Sequence, residues 1–218
     1  MSRKPAMPGV DRRQQILEAA LAVFAERGFE TATNKEITER AGVNQGLIYF
    51  YFESKADVFF AAFEYHARLV MAQLDAVFDD VRDENPATGF GRLLKQIVAV
   101  LDTPRTISLL RIMHQVMGSR EPQGALRREE EQRSIGMLAE HLARGLRQYL
   151  EAHMARGTLR PVKVGLATYL ITSTLISTIA GRRRDSRAAH FSQEELAEMI
   201  ATLYGEGLLP RQECPNGQ

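Results

Sequence analysis

Apolar residues recur along this chain at three- and four-residue intervals, with no sustained alternation of apolar and polar positions. That pattern predicts helices throughout and no sheet. Ile16, Ala20 and Phe24 share one face of a helix over about residues 11–27, ended by Gly28. Thr33 and Glu36 form a capping box that opens a second, short helix, and Gly42 suits its C-terminus. Asn44 caps a third helix from Gln45 to about Phe52. Ser54 with Asp57 opens a fourth, from about Lys55 to Val81, with Phe59, Phe63, Val70, Leu74 and Phe78 near one stripe. Asn85-Pro86 and Thr103-Pro104 each read as a cap followed by proline at the first helical position, opening helices five and six. Residues 118–124, GSREPQG, read as a polar loop. A seventh helix over about residues 125–156 carries Ile135, Leu138, Leu142, Leu146 and Tyr149 close to one stripe, and Gly157 ends it. An eighth is expected from Pro161 to Gly181. Ser192 with Glu195 opens a ninth, on which Leu196, Met199, Ile200 and Leu203 share a face. The expected fold class is all-α: an N-terminal arm and three-helix domain over residues 1–54, a larger helical domain over residues 55–207, and a disordered tail over residues 208–218.

The segment TNKEITERAGVNQGLIYFYFESK, Thr33 to Lys55, is the most informative part of the chain. Two short helices around a glycine-bearing turn form a helix-turn-helix, whose second helix enters the DNA major groove. Ile48 and Phe52 are four apart and anchor that helix to a core. Successive helical residues point about 100° apart, so Tyr49, Phe50 and Tyr51 cannot all share the buried face. Some must look outward beside Gln45, Gly46 and Leu47. A tyrosine hydroxyl can bond a phosphate, an aromatic edge can meet a thymine methyl, and glutamine can pair with an adenine edge. Gly46 lets the backbone approach closely.

These residues resemble the DNA-binding region of TetR-family transcriptional regulators. The matching positions run from Ile16, Ala19, Ala20, Phe24, Gly28 and Phe29 through Thr33, Ile37, Ala41, Gly42 and Val43. They continue with Gly46, Ile48, Tyr49, Tyr51, Phe52, Ser54 and Lys55. The resemblance is dense over about the first 65 residues and departs from the usual pattern at Thr38 and Ala56. It implies that Thr33, Tyr49 and Lys55 meet phosphates. Lys35, Gln45 and Leu47 are implied near base edges, with Asn44, Gly46, Phe50 and Tyr51 around them. It further implies a ligand-responsive regulator, a repressor released from a near-palindromic operator by a small molecule, with the fourth helix as the lever.

Helix eight is nearly uncharged and apolar almost all round, which in a soluble protein means burial or burial on assembly. Its six Ser and Thr residues and the basic residues at both ends argue against a membrane span. Gly165, Thr168, Thr172 and Ser177 are small enough to admit another helix. The expected use is a subunit interface, and the resemblance implies a homodimer packed through helices at about 161–181 and 192–207. The arginine-rich run from Arg182 to Arg187 reads as a solvated loop.

The formal net charge is +1 over 218 residues, which weighs against bulk electrostatic binding to nucleic acid and leaves room for a local basic footprint. Arg3, Lys4, Arg12 and Arg13 supply one near the N-terminus. The single cysteine, Cys214, forms no intrachain disulfide, and no signal-peptide core opens the chain. A cytoplasmic, nucleoid-associated protein of bacterial type is expected. Phe63, His66, Met113, His114, Met117, Tyr169 and Ser173 combine apolar walls with a few polar groups, as a small-molecule pocket does. The five histidines show no metal-ligand spacing. There is no G-x-S-x-G elbow, P-loop or Cys/His motif, so no cofactor and no enzyme activity are expected. Two other readings stay open: a regulator without a small-molecule ligand, and a helical protein-interaction module that keeps the motif as scaffold.

Overall fold

The computed structural model describes residues 11–109, 125–181 and 192–209, with side chains for all of these except 125–135, 180–181, 193 and 206. The described residues are helical and contain no strand. In chain order the helices are α1 (Arg12–Arg27), α2 (Asn34–Ala41), α3 (Gln45–Tyr51), α4 (Lys55–Asp80) and α5 (Pro86–Leu101). Then come α6, described over residues 104–109, α7 (Ala125–Ala155), α8 (Val164–Gly181) and α9 (Gln193–Leu208). The loop expected at 118–124, and Met113, His114, Met117 and the 182–187 run, lie outside the described residues.

The caps fall where the side chains place them. Asp11 accepts from the Arg13 and Gln14 N–H groups at the start of α1. Thr33 and Glu36 bond reciprocally at the start of α2, as do Ser192 and Glu195 at α9. Asn85 accepts from the Ala87 N–H, with Pro86 in the first turn of α5. α2 ends with Gly42 at φ 64°, so the Val43 N–H reaches the Thr38 carbonyl at 3.0 Å and the Gly42 N–H reaches that of Glu39 at 3.2 Å. A side chain at that left-handed position would be strained, so the sharp turn into α3 depends on glycine.

Two boundaries differ from expectation. α8 begins at Val164, not Pro161, and its first bond runs from the Ala167 N–H to the Lys163 carbonyl at 3.0 Å. Leu208 is the last residue of α9, only 5% exposed, and its carbonyl accepts the Arg160 N–H at 3.0 Å. The expected tail therefore cannot start at Leu208: a buried side chain and a claimed carbonyl hold it. Residues 210–218 lie outside the described residues.

The chain forms two compact units, residues 1–68 with 104–135, and residues 69–103 with 136–218. The expected boundary stood at 54/55; the packing divides α4 itself, at Arg68/Leu69. In the first unit, α1 to α4 close on one core. Phe24 and Phe59 meet edge to face at 5.2 Å, and Phe29 lies 5.5 Å from Phe59. Ile16, Leu17, Leu21, Ile37, Ile48, Val58 and Leu109 complete it, all at 2% exposure or less. A polar clamp lies at its edge: Gln14 donates to the Tyr65 hydroxyl at 2.9 Å, and Tyr65 donates to Glu18 at 2.9 Å.

In the second unit, α5 lays a regular apolar face, Phe90, Leu93, Leu94, Ile97, Val98 and Leu101, into the interior and packs chiefly on α9. The stripe expected on α7 is buried at Leu138, Leu142, Leu146 and Tyr149. Arg156 at the end of α7 donates to the Arg82 carbonyl at 3.0 Å and to Asp83 at 2.8 Å, pinning the turn between α4 and α5.

Gly145 lies in the interior of α7, where alanine would gain about 1 kcal/mol of helix propensity. A Cβ there would sit 2.1 Å from the Phe78 ring. Displacing a packed ring costs about 1–3 kcal/mol, so overpacking should win. Gly145→Ala is expected to lower the melting temperature; a rise would show that Phe78 swings aside freely.

Candidate nucleic-acid interface

α3 has seven residues and could not stand as a helix alone. It is held from one side. Ile48 is fully buried and Phe52, its C-cap, is 6% exposed, both in the core of the first unit. Asn44 accepts from the Gly46 N–H at 2.7 Å, which caps the first turn. The opposite side is left in solvent: Tyr49 is 57% exposed and Phe50 78%. Asn44, Gln45 and Gly46 are exposed with them. An added Cβ on Gly46 would lie 3.3 Å from the Asn44 side-chain oxygen, so a side chain there would press on the cap.

The ten residues expected at DNA thus divide. Asn44, Gln45, Gly46, Tyr49 and Phe50 form one exposed surface on α3 and its cap. Leu47 and Tyr51 are partly buried and pack against the core, so they support α3 more than they extend its outer face. Phe50 meets Tyr51 edge to face at 5.1 Å, which sets the bearing of the outer ring. Thr33 is exposed at the start of α2; its hydroxyl donates to Glu36 at 3.0 Å and accepts the Glu36 N–H at 3.2 Å. Those bonds from Thr33 hold the Glu36 carboxyl below the usual carboxylate range. Lys35 is exposed and stands 3.9 Å from Glu39, a weak surface pair that a phosphate could replace.

Lys55 is partly buried and turned to its own chain. Its ammonium donates to the carbonyls of Phe29 at 2.8 Å, Glu30 at 3.1 Å and Ala32 at 3.2 Å, and it sits 4.6 Å from the Phe29 ring centroid. An ammonium has three N–H donors, and here all three have acceptors. In the chain without DNA, Lys55 thus holds the loop between α1 and α2. The sequence carried one signal for this. A cation on the first residue of a helix sits badly with the helix dipole, which calls for a compensating partner.

Sequence reasoning missed two other contacts. The Arg13 guanidinium lies over the Phe52 ring at 5.6 Å, bringing a positive charge to the end of α3. Arg40 grips Glu26 with two bonds of 2.7 Å, tying α2 to α1. Neither pair is close in sequence, so no local pattern announces it.

The residues expected to line a ligand pocket are distributed over both units. Phe63 is 3% exposed in the core of the first unit. His66, one turn on, has its Nε2 2.9 Å from the Thr106 hydroxyl. Tyr169 and Ser173 belong to the second unit, where Tyr169 is 66% exposed on α8. Met113, His114 and Met117 lie outside the described residues. Two clefts are formed by other residues. One of about 240 Å³ is lined by Val23, Glu26, Arg27, Glu36, Glu39 and Arg40. The other, of about 220 Å³, is lined by Phe78, Arg82, Gly145, Gln148, Tyr149, Ala152 and Arg156. Among the described residues there is no cluster of three metal-ligating side chains.

The outer face of α8 carries Leu166 (55% exposed), Tyr169 and Leu170 (43%), with Gly165 and Ser177 on the same side. Thr168 and Thr172, expected to admit a neighbouring helix, are instead buried within their own unit at 2% and 7% exposure. On α9 the expected common face splits in the same way: Ile200 is buried, while Met199 and Leu203 are 59% and 66% exposed. The Tyr204 hydroxyl lies 2.7 Å from that of Thr174, bonding α9 to α8. No helix among the described residues is long and apolar enough to cross a membrane.

Residues 16–62 match the family model TetR_N, described as bacterial regulatory proteins of the tetR family. The regulator SrpR of Pseudomonas putida is 41% identical over 58 residues, 27% of each chain. The match spans about a quarter of that relative's length. The whole fold has counterparts as well. A TetR-family regulator structure from Mesorhizobium loti covers 94% of this chain and 100% of its own, with a TM-score of 0.79 at 17% identity. FadR from Bacillus subtilis, solved with stearoyl-CoA, covers 89% of this chain and 98% of its own, with a TM-score of 0.66 at 20% identity. Residues 16–62 thus form a DNA-binding domain of the tetR type, and the described residues share the all-helical fold of TetR-family structures.

Two outcomes follow from the packing. Ile48→Ala should cost about 2–5 kcal/mol of stability in chemical denaturation. Phe50→Ala, two residues on, should change it by less than about 0.5 kcal/mol. Similar losses from both would mean that α3 is not seated as described. His66 is pushed down to about 4 from 6.5, chiefly by burial and then by the Arg105 charge. The unfolded chain binds a proton there that the folded chain refuses, so stability should fall as pH drops from 6.5 towards 4. The loss attributable to His66 is on the order of 2 kcal/mol, read as the divergence of wild type from His66→Gln across that window. Parallel curves would contradict the burial assigned to His66.

Proposed function

We propose that this chain is a sequence-specific DNA-binding transcriptional regulator that acts as a homodimer in the bacterial cytoplasm. In this reading it is a repressor, released from a near-palindromic operator by a small molecule. The observation that carries the DNA-binding part is the two-sided seating of α3. Ile48 is fully buried while its neighbours Tyr49 and Phe50 stay 57% and 78% exposed. Leaving large rings in water has no folding benefit; against a major groove they have phosphates and thymine methyls to meet. Gln45 stands beside them with an amide suited to an adenine edge.

The dimer is supported by the outer faces of α8 and α9. Leu166, Tyr169, Leu170, Met199 and Leu203 are exposed apolar residues on two helices that Tyr204 and Thr174 bond together. A second copy of the same pair would complete a four-helix bundle and cover them. Two α3 helices related by a two-fold axis then read two half-sites, which a single short helix could not discriminate alone. In this account Tyr169 serves the interface. The effector is the less specified element. FadR, with the same fold, binds stearoyl-CoA, which favours an effector for this chain too. Phe63, His66, Met113, His114, Met117 and Ser173 remain the residues proposed to meet it. An effector that binds one separation of the two α3 helices better than another shifts the population between DNA-bound and released forms.

The test is selection from a random duplex library at physiological salt, with Tyr49→Ala run in parallel. A near-palindromic site should be enriched by the wild type and not by the variant, with half-sites about one helical turn apart. A folded dimer that enriches no sequence would contradict the reading and favour a protein-interaction module.

A further inference from the structure

Angular position separates the outward residues of α3. With successive residues about 100° apart, Tyr49 stands about 100° from the buried Ile48, on the flank of the helix. Phe50 stands about 200° away, and Gly46, two residues before Ile48, about as far in the other sense. These two are four residues apart and form the ridge opposite the anchor. When a recognition helix lies in the major groove, that ridge is nearest the base edges. Phe50 is 78% exposed, the most of any large apolar side chain among the described residues. Its ring carries no hydrogen-bond donor or acceptor. Gly46 contributes no side chain, and a Cβ there would meet only the Asn44 side-chain oxygen, at 3.3 Å, so the ridge beside the ring is open. The ring is also placed in advance. It meets Tyr51 edge to face at 5.1 Å, and Tyr51 packs against the buried core. Little side-chain freedom is then lost on contact.

We propose that Phe50 is a specificity-determining residue, whose ring covers the 5-methyl group of one thymine in each half-site. This rests on the DNA-binding reading given above. Base edges in the major groove present nitrogen and oxygen donors and acceptors, and the thymine methyl is the apolar group of that code. A phosphate offers the Phe50 ring no partner. A polar base edge pressed against the ring would lose its water and gain no hydrogen bond. The methyl alone gains, through apolar area removed from water on both sides of the contact. The open ridge over Gly46 leaves room for the methyl to reach the ring.

The test replaces each thymine of the selected duplex in turn by deoxyuridine, which removes the methyl and leaves every hydrogen-bonding group in place. For wild type, one thymine in each half-site should be sensitive. Binding should weaken about fourfold for one methyl removed, and on the order of tenfold when both half-sites are changed. Phe50→Ala, shown to be folded by circular dichroism, should bind the thymine duplex more weakly and no longer distinguish it from the deoxyuridine duplex. Phe50→Leu keeps an apolar tip and should keep part of the discrimination. The absence of any deoxyuridine-sensitive thymine would overturn the proposal. So would a sensitivity that persists undiminished in Phe50→Ala, which would assign the methyl to another side chain. In both cases a duplex selected by wild type and lost in Tyr49→Ala leaves the DNA reading standing. If wild type selects no duplex, that reading fails and the role of Phe50 fails with it.

Discussion

The structure of the first unit turns on the anchoring of a seven-residue helix by Ile48 and its cap Phe52. α3 is below the length at which backbone hydrogen bonds repay the entropy of nucleation. It exists because a core built on Phe24, Phe29 and Phe59 takes one of its faces, and because Asn44 caps its first turn. The other constraint is angular. A helix that buries residue 48 must turn residues 49 and 50 away from it. Exposure of Tyr49 and Phe50 is thus the geometric consequence of the anchor, and the same consequence produces the surface proposed to read DNA. α1, α2 and the start of α4 serve to build that core, and the bonds between Arg40 and Glu26 and from Lys55 to the loop carbonyls hold its parts in register.

Much of this was legible in the residues. Caps are local chemistry, and Thr33, Asn44, Asn85 and Ser192 each act within a few residues of themselves, so a pattern of side chains announces them. The stripes on α4 and α7 follow from periodicity for the same reason. Periodicity failed where a helix is apolar on more than one side. On α8 it could not say that Thr168 and Thr172 turn inward while Leu166 and Tyr169 turn outward. Long-range contacts were barely legible. A cation at a helix start calls for a partner, but nothing near residue 55 shows that its lysine reaches back to Phe29. Burial was equally illegible for two residues of suitable pocket chemistry: Phe63 is buried and Tyr169 is exposed.

The two units spend their apolar residues differently. Among the described residues, the first buries its core and exposes large rings on α3. The second closes α5 against α9, yet leaves Leu166, Tyr169, Leu170, Met199 and Leu203 exposed on α8 and α9. Exposed apolar residues grouped on adjoining helices mark interaction surfaces. In the proposed account the first exposed group faces DNA and the second faces another copy. A single folded chain then has two unfinished surfaces, each with its own chemistry. Polar and aromatic tips suit a groove lined by phosphates and base edges, and aliphatic side chains suit a helix bundle.

The central claim is that the outer face of α3 is the surface that meets base edges. Photo-crosslinking tests it directly, with 5-iodouracil placed at successive thymine positions of a selected duplex and the adducts located by peptide mass spectrometry. The account predicts adducts at Tyr49 or Phe50, from a few adjacent thymines in each half-site. Adducts confined to other helices, with none on α3 while the duplex stays selectively bound, would contradict it.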